Sequence, residues 1–321
     1  MSTYIIRRLI LIIPTLLLVT IIVFLSVRFI PGSIIDMMTS QMTIEELSIE
    51  GMTPREYIKH LLQLDEPIYE QYWSWFIHVL RGDLGRSLWT DREISEEIMH
   101  RLPISLELGI LALVTSVLIA IPIGIYSAVR QDTMGDYIGR SFAILCISLP
   151  GFWLGTMVMV FPAVWWGWSP PMRYIPITEN LGQNLLQFII PAVIMGMVMS
   201  GTTMRMSRTM MLEVLRQDYI KTAWSKGLKE KRVVIRHAMK NAMIPVITII
   251  GLQVPVLIGG SVIMERIFNL PGIGRLLIDA LGQRDYPVIS GVNVVMATAV
   301  LVINLVVDVI YAYLDPRISY H

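Results

Sequence analysis

Residues able to do chemistry are few in this chain, and they are scattered. Cys146 is the single cysteine and lies inside an apolar run, which excludes an intramolecular disulfide framework and a zinc or iron–sulfur site built from this chain's own thiolates. The five histidines, His60, His78, His100, His237 and His321, all fall outside the long apolar stretches, so a membrane haem would have no axial ligands. There is no Gly-x-Ser-x-Gly, no His-Glu-x-x-His and no pair of carboxylates on one face of an apolar helix, which removes the usual parts of an intramembrane protease. No Gly-Lys dipeptide occurs. A phosphate-cradling Walker loop is therefore absent, and any ATP hydrolysis must come from another chain. An Arg ladder at every third residue and a Thr-Val-Gly-Tyr-Gly filter are missing as well, which sets aside the simplest channel designs. No cofactor and no metal are expected.

What polar chemistry remains is concentrated in one place. Between Arg205 and Lys240 lie ten Lys and Arg residues, in a stretch rich in helix formers. Asp218 can cap a short helix through Tyr219, Ile220, Lys221, Thr222, Ala223, Trp224, Ser225 and Lys226, and Gly227 supplies a left-handed stop. A basic helix resumes from Lys229 to Arg236. Helix, glycine turn and helix make a rigid knob: Ala223 and Gly227 allow close approach of a partner, while Ile220 and Trp224, four apart, can fill a groove from one face. The alternative is that the basic residues hold an anionic membrane surface. A second set of polar residues, Gln253, Asn293, Asn304 and Asp308, lies within apolar stretches, where polar groups either line a pathway or hydrogen-bond between helices; Gln253 and Asn304 are the pathway candidates. Met195, Met197, Met199, Met204, Met206, Met210 and Met211 crowd one stretch and its exit, where core filling is the simpler use of so adaptable a side chain.

The elements that must position these residues are membrane helices. Apolar residues make up 54% of the 321 and charged ones only 16%, against about 45–50% and 25% in soluble domains. A span needs about 20 mostly apolar residues to cross roughly 30 Å of hydrocarbon, and six stretches qualify: Leu9 to Ile30, Leu106 to Val129, Ile138 to Trp166, Leu185 to Met204, Ala242 to Ile263 and Val288 to Tyr313. Pro150, Pro162 and Pro191 are expected to kink or interrupt the third and fourth. The apolar core of the first span is too long for a signal peptide and ends in Ile30-Pro31-Gly32, which reads as a retained anchor. With the N-terminus inside, inner segments carry fifteen Lys and Arg against six acids, and outer segments eleven against seventeen. This satisfies the positive-inside rule and places both termini in the cytoplasm. The net charge of +1 gives no case for a nucleic-acid partner.

Two external segments stand out. Residues 31–100 form an acidic insert with aromatics at Tyr69, Tyr72, Trp73, Trp75 and Phe76, an interfacial belt or subdomain core rather than a docking surface, and a turn at Leu80 to Ser87. From Glu265 to Pro287, Asn269-Leu270-Pro271-Gly272-Ile273-Gly274 enters a short helix with Leu276, Leu277, Ala280 and Leu281 on one face, which reads as a re-entrant or lid helix.

Several of these segments carry a resemblance. Tyr219-Ile220-Lys221-Thr222-Ala223-Trp224-Ser225-Lys226-Gly227-Leu228, followed by Arg236-His237-Ala238-Met239-Lys240-Asn241-Ala242-Met243-Ile244-Pro245, resembles the cytoplasmic Glu-Ala-Ala loop of ABC importer permeases in its peptide-permease version. Lys221 stands where the general pattern has Glu and Thr222 where it has the first Ala, while Ala223 and Gly227 agree. Gly82 to Ser87, Arg101 to Leu108, Phe268 to Leu277, Arg284-Asp285-Tyr286-Pro287, and Asp308 through Asp315-Pro316-Arg317 match in the same order. Over nearly its whole length the chain resembles the B-type subunit of dipeptide and oligopeptide importers.

The resemblance implies an all-α membrane protein of six transmembrane helices: a first helix over 1–30, an extracytoplasmic insert over 31–100, and a type I transmembrane domain over 101–315 that includes a coupling loop at 205–241. It implies a multi-pass subunit of the cell membrane that pairs with a homologous C-type permease, with two ABC ATPases docked beneath and an extracytoplasmic binding protein above. Asp218, Ile220, Lys221, Thr222, Ala223, Trp224 and Gly227 become the ATPase-coupling residues. Relatives of this kind also serve nickel complexes, glutathione or oligosaccharides. The competing class is an ion-coupled secondary transporter, which needs buried coupling carboxylates; a non-transport scaffold is a third.

Overall fold

The computed structural model describes residues 2–29, 53, 56, 59 and 65–314. Most of the expected insert before Asp65, and the Asp315-Pro316-Arg317 motif with His321, lie outside the described residues. The order of elements is α1 (Ser2–Arg28), α2 (Ile68–Leu80), α3 (Ile94–Val129), α4 (Met134–Ser148), α5 (Gly151–Trp166), α6 (Leu181–Leu215), α7 (Asp218–Ser225), α8 (Glu230–Arg232), a π-helical segment (Val233–Ala238), α9 (Met239–Ile267), α10 (Ile273–Gln283) and α11 (Tyr286–Leu314). Among the described residues the one β feature is an isolated bridge between Arg86 and Glu93. Among the described residues five helices are long and apolar enough to cross a membrane, or six if the bent pair of α4 and α5 is one span.

That break is the interruption expected at Pro150 within the span from Ile138 to Trp166. The two halves meet at 91°, because Pro150 has no N–H to give the helix and forces Leu149 into an extended conformation (φ −88°, ψ 124°). Helix α5 restarts immediately after it and stops at Gly167, which takes the left-handed φ of 64°. Pro162 and Pro191, expected to kink or interrupt their spans, lie inside α5 and α6, which continue through them as helix. Helix α6 starts on a cap: the side chain of Asn180 accepts a hydrogen bond from the Gln183 amide.

The chain divides into two compact units, one of residues 1–8, 101–275 and 300–321, the other of residues 9–100 and 276–299. In the first, α6 is the central helix. Its Phe188, Ala192 and Met195 are buried with Leu108 and Ala112 of α3 and Leu257 and Met264 of α9. The close approach is made by glycine: a Cβ at Gly196 would sit 2.7 Å from the Ala112 carbonyl oxygen, and one at Gly201 2.7 Å from that of Ala143. Met195, Met204 and Met211 are buried, so these three methionines fill core.

In the second unit, α2 lies against the end of α1. Phe24 meets Tyr72 edge to face at 5.3 Å and Trp75 at 5.5 Å, and the hydroxyls of Thr20 and Tyr72 are 3.0 Å apart. Tyr72 and Trp75 are thus packing residues, while Tyr69 and Trp73 remain exposed. The turn after α2 uses Gly82 and Gly85 at φ of 81° and 83°. It ends at Ser87, whose hydroxyl donates to the buried Asp285 carboxylate at 2.5 Å.

Candidate functional site

The knob expected between Arg205 and Lys240 is present, built on the first unit. Helix α7 covers eight residues, Asp218–Ser225. Asp218 is its first helical residue and not its cap. Gln217 holds the non-helical position (φ −71°, ψ 149°) and makes no side-chain cap bond, so the Asp218 carboxylate turns to Lys221, whose ammonium donates at 2.8 Å. That ammonium holds the Asp218 carboxyl below its ordinary range. The exit is as the sequence dictates: Gly227 takes φ +73°, and its amide closes on the Trp224 carbonyl at 2.9 Å. No atom lies within 4 Å of where a Cβ at Gly227 would be, so glycine is required there by backbone conformation and not by crowding.

The two apolar residues assigned to one contact face do different work. Ile220 is fully buried, Ala223 is 7% exposed and Trp224 is 45% exposed. Ile220 and Ala223 pack with Met211 of α6 and with Val233, Val234 and Ala238 of the π-helical segment. They are roughly 60° apart around the helix, and Trp224 is about 40° further round from Ile220 on the opposite side, which carries it out of the core. Ile220 is therefore a root of the knob, and Ala223 is set against the chain's own core. The surface left for a partner consists of Tyr219, Lys221, Thr222 and Trp224, all exposed. Tyr219 is itself positioned by Asn241, whose side-chain amide donates to its hydroxyl at 2.8 Å.

Of the pathway candidates, Gln253 is half-buried and joins α9 to α6: its Nε2 donates to the Met199 carbonyl and its Oε1 accepts from Thr203, both at 3.4 Å. That is the helix-to-helix use of an amide. Asn304 is half-buried on α11. Asp308 pairs with Arg8 at 2.8 Å.

Two buried acidic centres of the first unit escaped sequence reasoning. Asp136, in the first turn of α4, is fully buried and receives both Nε and Nη2 of Arg208 at 2.7 Å, a forked pair that locks α4 to α6. Glu265, near the end of α9, is fully buried. It accepts from the Ser105 hydroxyl at 2.7 Å and from the Arg275 amide at 3.0 Å, while Ser105 in turn accepts from the Ile273 amide at 2.9 Å. Glu265 and Ser105 together satisfy first-turn amides of α10. The available signal is an acid a few residues before Pro271-Gly272-Ile273-Gly274 in a chain poor in acids.

Among the described residues, five apolar helices and one bent pair are long enough to cross a membrane, and a helical knob stands on the loop between α6 and α9. The chain's fold is that of a solved amino acid ABC transporter, which matches with a TM-score of 0.50 at 14% identity over 70% of this chain and 95% of that one. Residues 120–320 match the binding-protein-dependent transport system inner membrane component, and residues 1–109 match the N-terminal region of the same kind of component; the chain belongs to this family. It is 36% identical over 345 residues to the dipeptide transport system permease protein DppB of Escherichia coli (strain K12), covering 100% of this chain and 99% of that one. It is 38% identical over 321 residues to the glutathione transport system permease protein GsiC of Salmonella typhi, with both chains fully covered. With the oligopeptide transport system permease protein AppB of Bacillus subtilis (strain 168) it shares 40% over 325 residues, again with both fully covered.

Proposed function

We propose that this chain is the B-type permease subunit of an ATP-driven importer of di- or oligopeptides, forming half of the translocation pathway beside a homologous C-type permease. Kinship over the whole length at 36–40% identity with permeases named for dipeptides, glutathione and oligopeptides carries the reading. All three names share one substrate chemistry, the short peptide. The chain has no phosphate-binding loop of its own, so hydrolysis belongs to two ATPase subunits docked beneath, and a binding protein delivers substrate from the opposite side.

The knob is the coupling element of this proposal. Tyr219, Lys221, Thr222 and Trp224 face the ATPase, with Asp218 and Gly227 shaping the two ends of the helix. Ile220 and Ala223 root it on α6 and on the π-helical segment leading into α9. When the ATPases close, a force on the exposed face passes through that root into two spans at once, and bundles rocking about a central site open the pathway. Asn304 remains a candidate for its lining, and Gln253 one only through whatever part of its half-buried side chain the bonds to α6 leave free.

The boundaries proposed are a first helix over 1–30, an external insert over 31–100 and the transport domain over 101–315. Both termini are placed in the cytoplasm, which the basic asymmetry supports; the Arg8–Asp308 pair supports only that both lie on the same side. Two of the buried acids offer nothing to an ion-coupled mechanism, since Asp136 is held by Arg208 and Glu265 by Ser105 and the start of α10.

The test is reconstitution with the partner permease, the ATPases and the binding protein in proteoliposomes. Uptake of a labelled dipeptide that needs ATP and this subunit is the expected result. Uptake driven by an ion gradient without ATP would contradict it.

A further inference from the structure

A groove of about 760 Å³ lies in the first unit between the end of α3 and the segment from Lys229 to Met239. Its floor is apolar, from Ile121, Ile125 and Val129 on one side and Val234, Ile235 and Met239 on the other; its end carries Tyr126, Arg130, Lys229 and Lys231. Arg130 is paired with Glu230 at 3.1 Å across the groove, which leaves the two lysines as the net charge of the rim. Both are exposed, and neither has an ion pair among the described residues.

The separation of apolar and cationic parts follows the membrane. From Ile121 to Arg130 α3 rises about 13 Å, close to the roughly 15 Å of one leaflet's hydrocarbon, so the floor lies at acyl-chain depth and the lysines at headgroup depth. An apolar floor that is also half open, with Pro122, Tyr126 and Ile235 exposed, suits a flexible chain. Two unpaired ammonium groups and a phenol hydroxyl at its end suit a phosphodiester, and basic pockets between spans on the cytoplasmic side are typical sites for anionic headgroups.

We propose that this groove binds one anionic phospholipid, with its phosphate held by Lys229, Lys231 and the Tyr126 hydroxyl and an acyl chain laid along Ile121, Ile125 and Ile235. The site needs no assumption about the transported substrate; the proposed orientation decides only that the inner leaflet supplies the lipid. Because Val234 and Ile235 belong to the π-helical segment that carries the root of the knob, a bound lipid also steadies the path from knob to α9.

The full-length chain in neutral detergent, titrated with phosphatidylglycerol, phosphatidylcholine or glycerol phosphate and read by native mass spectrometry, tests the proposal. The wild type retains phosphatidylglycerol at least tenfold better than phosphatidylcholine. Lys229→Gln/Lys231→Gln lowers that affinity roughly thirtyfold, at about a factor of five per lysine, while Lys240→Gln leaves it unchanged. Ile121→Trp, which fills the floor and keeps every charge, also releases the lipid. All variants should elute as monodisperse as the wild type in phosphatidylcholine, so loss of fold is distinguishable from loss of the site. Equal retention of the two lipids, or indifference to the double lysine variant, overturns the proposal. Tight binding of glycerol phosphate would make it a phosphate site instead. A cysteine at Lys231 in a Cys146→Ser background that labels in the single chain but is buried in the assembled transporter would make the groove a subunit interface and equally overturn it.

Discussion

Removing the Glu265 carboxylate should unpin the start of α10, and the size of the effect can be worked from the contacts. Glu265→Ala deletes one hydrogen bond from Ser105 at 2.7 Å and one from the Arg275 amide at 3.0 Å. A hydrogen bond to a charged group is worth about 1.5–3 kcal/mol, and an orphaned buried donor costs about 1–3 kcal/mol. Relief of the desolvation of a fully buried acid offsets part of this, and about 3 kcal/mol of net destabilisation remains. For a chain of 321 residues that corresponds to a fall of roughly 4–5 °C in the unfolding midpoint, read as survival of the monodisperse peak after heating in detergent. Gly272→Ala should do comparable harm for another reason: its Cβ would lie 2.4 Å from the Glu265 carboxyl carbon and 2.6 Å from the Ser105 hydroxyl oxygen. The two perturbations share one space, so the double variant should cost well under the sum of the single ones. An unchanged midpoint for Glu265→Ala, or strict additivity in the double variant, would refute the reasoning.

The other buried pair gives a parallel expectation: Asp136→Asn or Arg208→Met alone should cost about 3–5 kcal/mol and reduce the yield of folded protein, whereas Asp136→Asn with Arg208→Met should recover much of it, because no charge is then stranded; expression and midpoint report both. At Gly227, with φ +73° and open space around it, Gly227→Val should be penalised by about 1–2 kcal/mol in backbone conformation and lose ATPase co-purification, while Gly227→Asn, which tolerates that conformation, should keep it. Single cysteines at Glu66 and Lys226 in a Cys146→Ser background should label with an impermeant reagent from opposite sides of the membrane, and the same sidedness for both would contradict the proposed topology.

The number and order of spans could be read from hydropathy, because a bilayer demands long apolar runs and tolerates few charges within them. The knob was legible too, since Gly227 imposes a stop that few other residues can make. What periodicity could not supply was which face of α7 is inward. Ile220, Ala223 and Trp224 are all apolar and lie on adjoining faces, and only the packing of Ile220 and Ala223 on Met211 and the π-helical segment separates the root from the surface. Asp218 reads as a cap because its residue type favours that position; the helix starts one residue earlier, with Gln217 in the non-helical position, and the Asp218 carboxylate pairs with Lys221 instead. Glu265 and Asp136 were invisible for a related reason. Each has its side-chain partner remote in sequence, Ser105 for Glu265 and Arg208 for Asp136, and no local pattern reveals a partner at that separation.

The contact between the exposed face of α7 and an ATPase is the centre of the functional account. A photo-crosslinking residue in place of Trp224, which is 45% exposed at the tip of the knob, tests it directly in membranes containing the assembled transporter. The account predicts a crosslinked product with the combined mass of this chain and one ATPase subunit, formed in a yield that changes when ATP is added, and none from the same residue placed at Glu66. Crosslinking of Trp224 to lipid alone, with assembly and ATP-driven uptake intact, would contradict it.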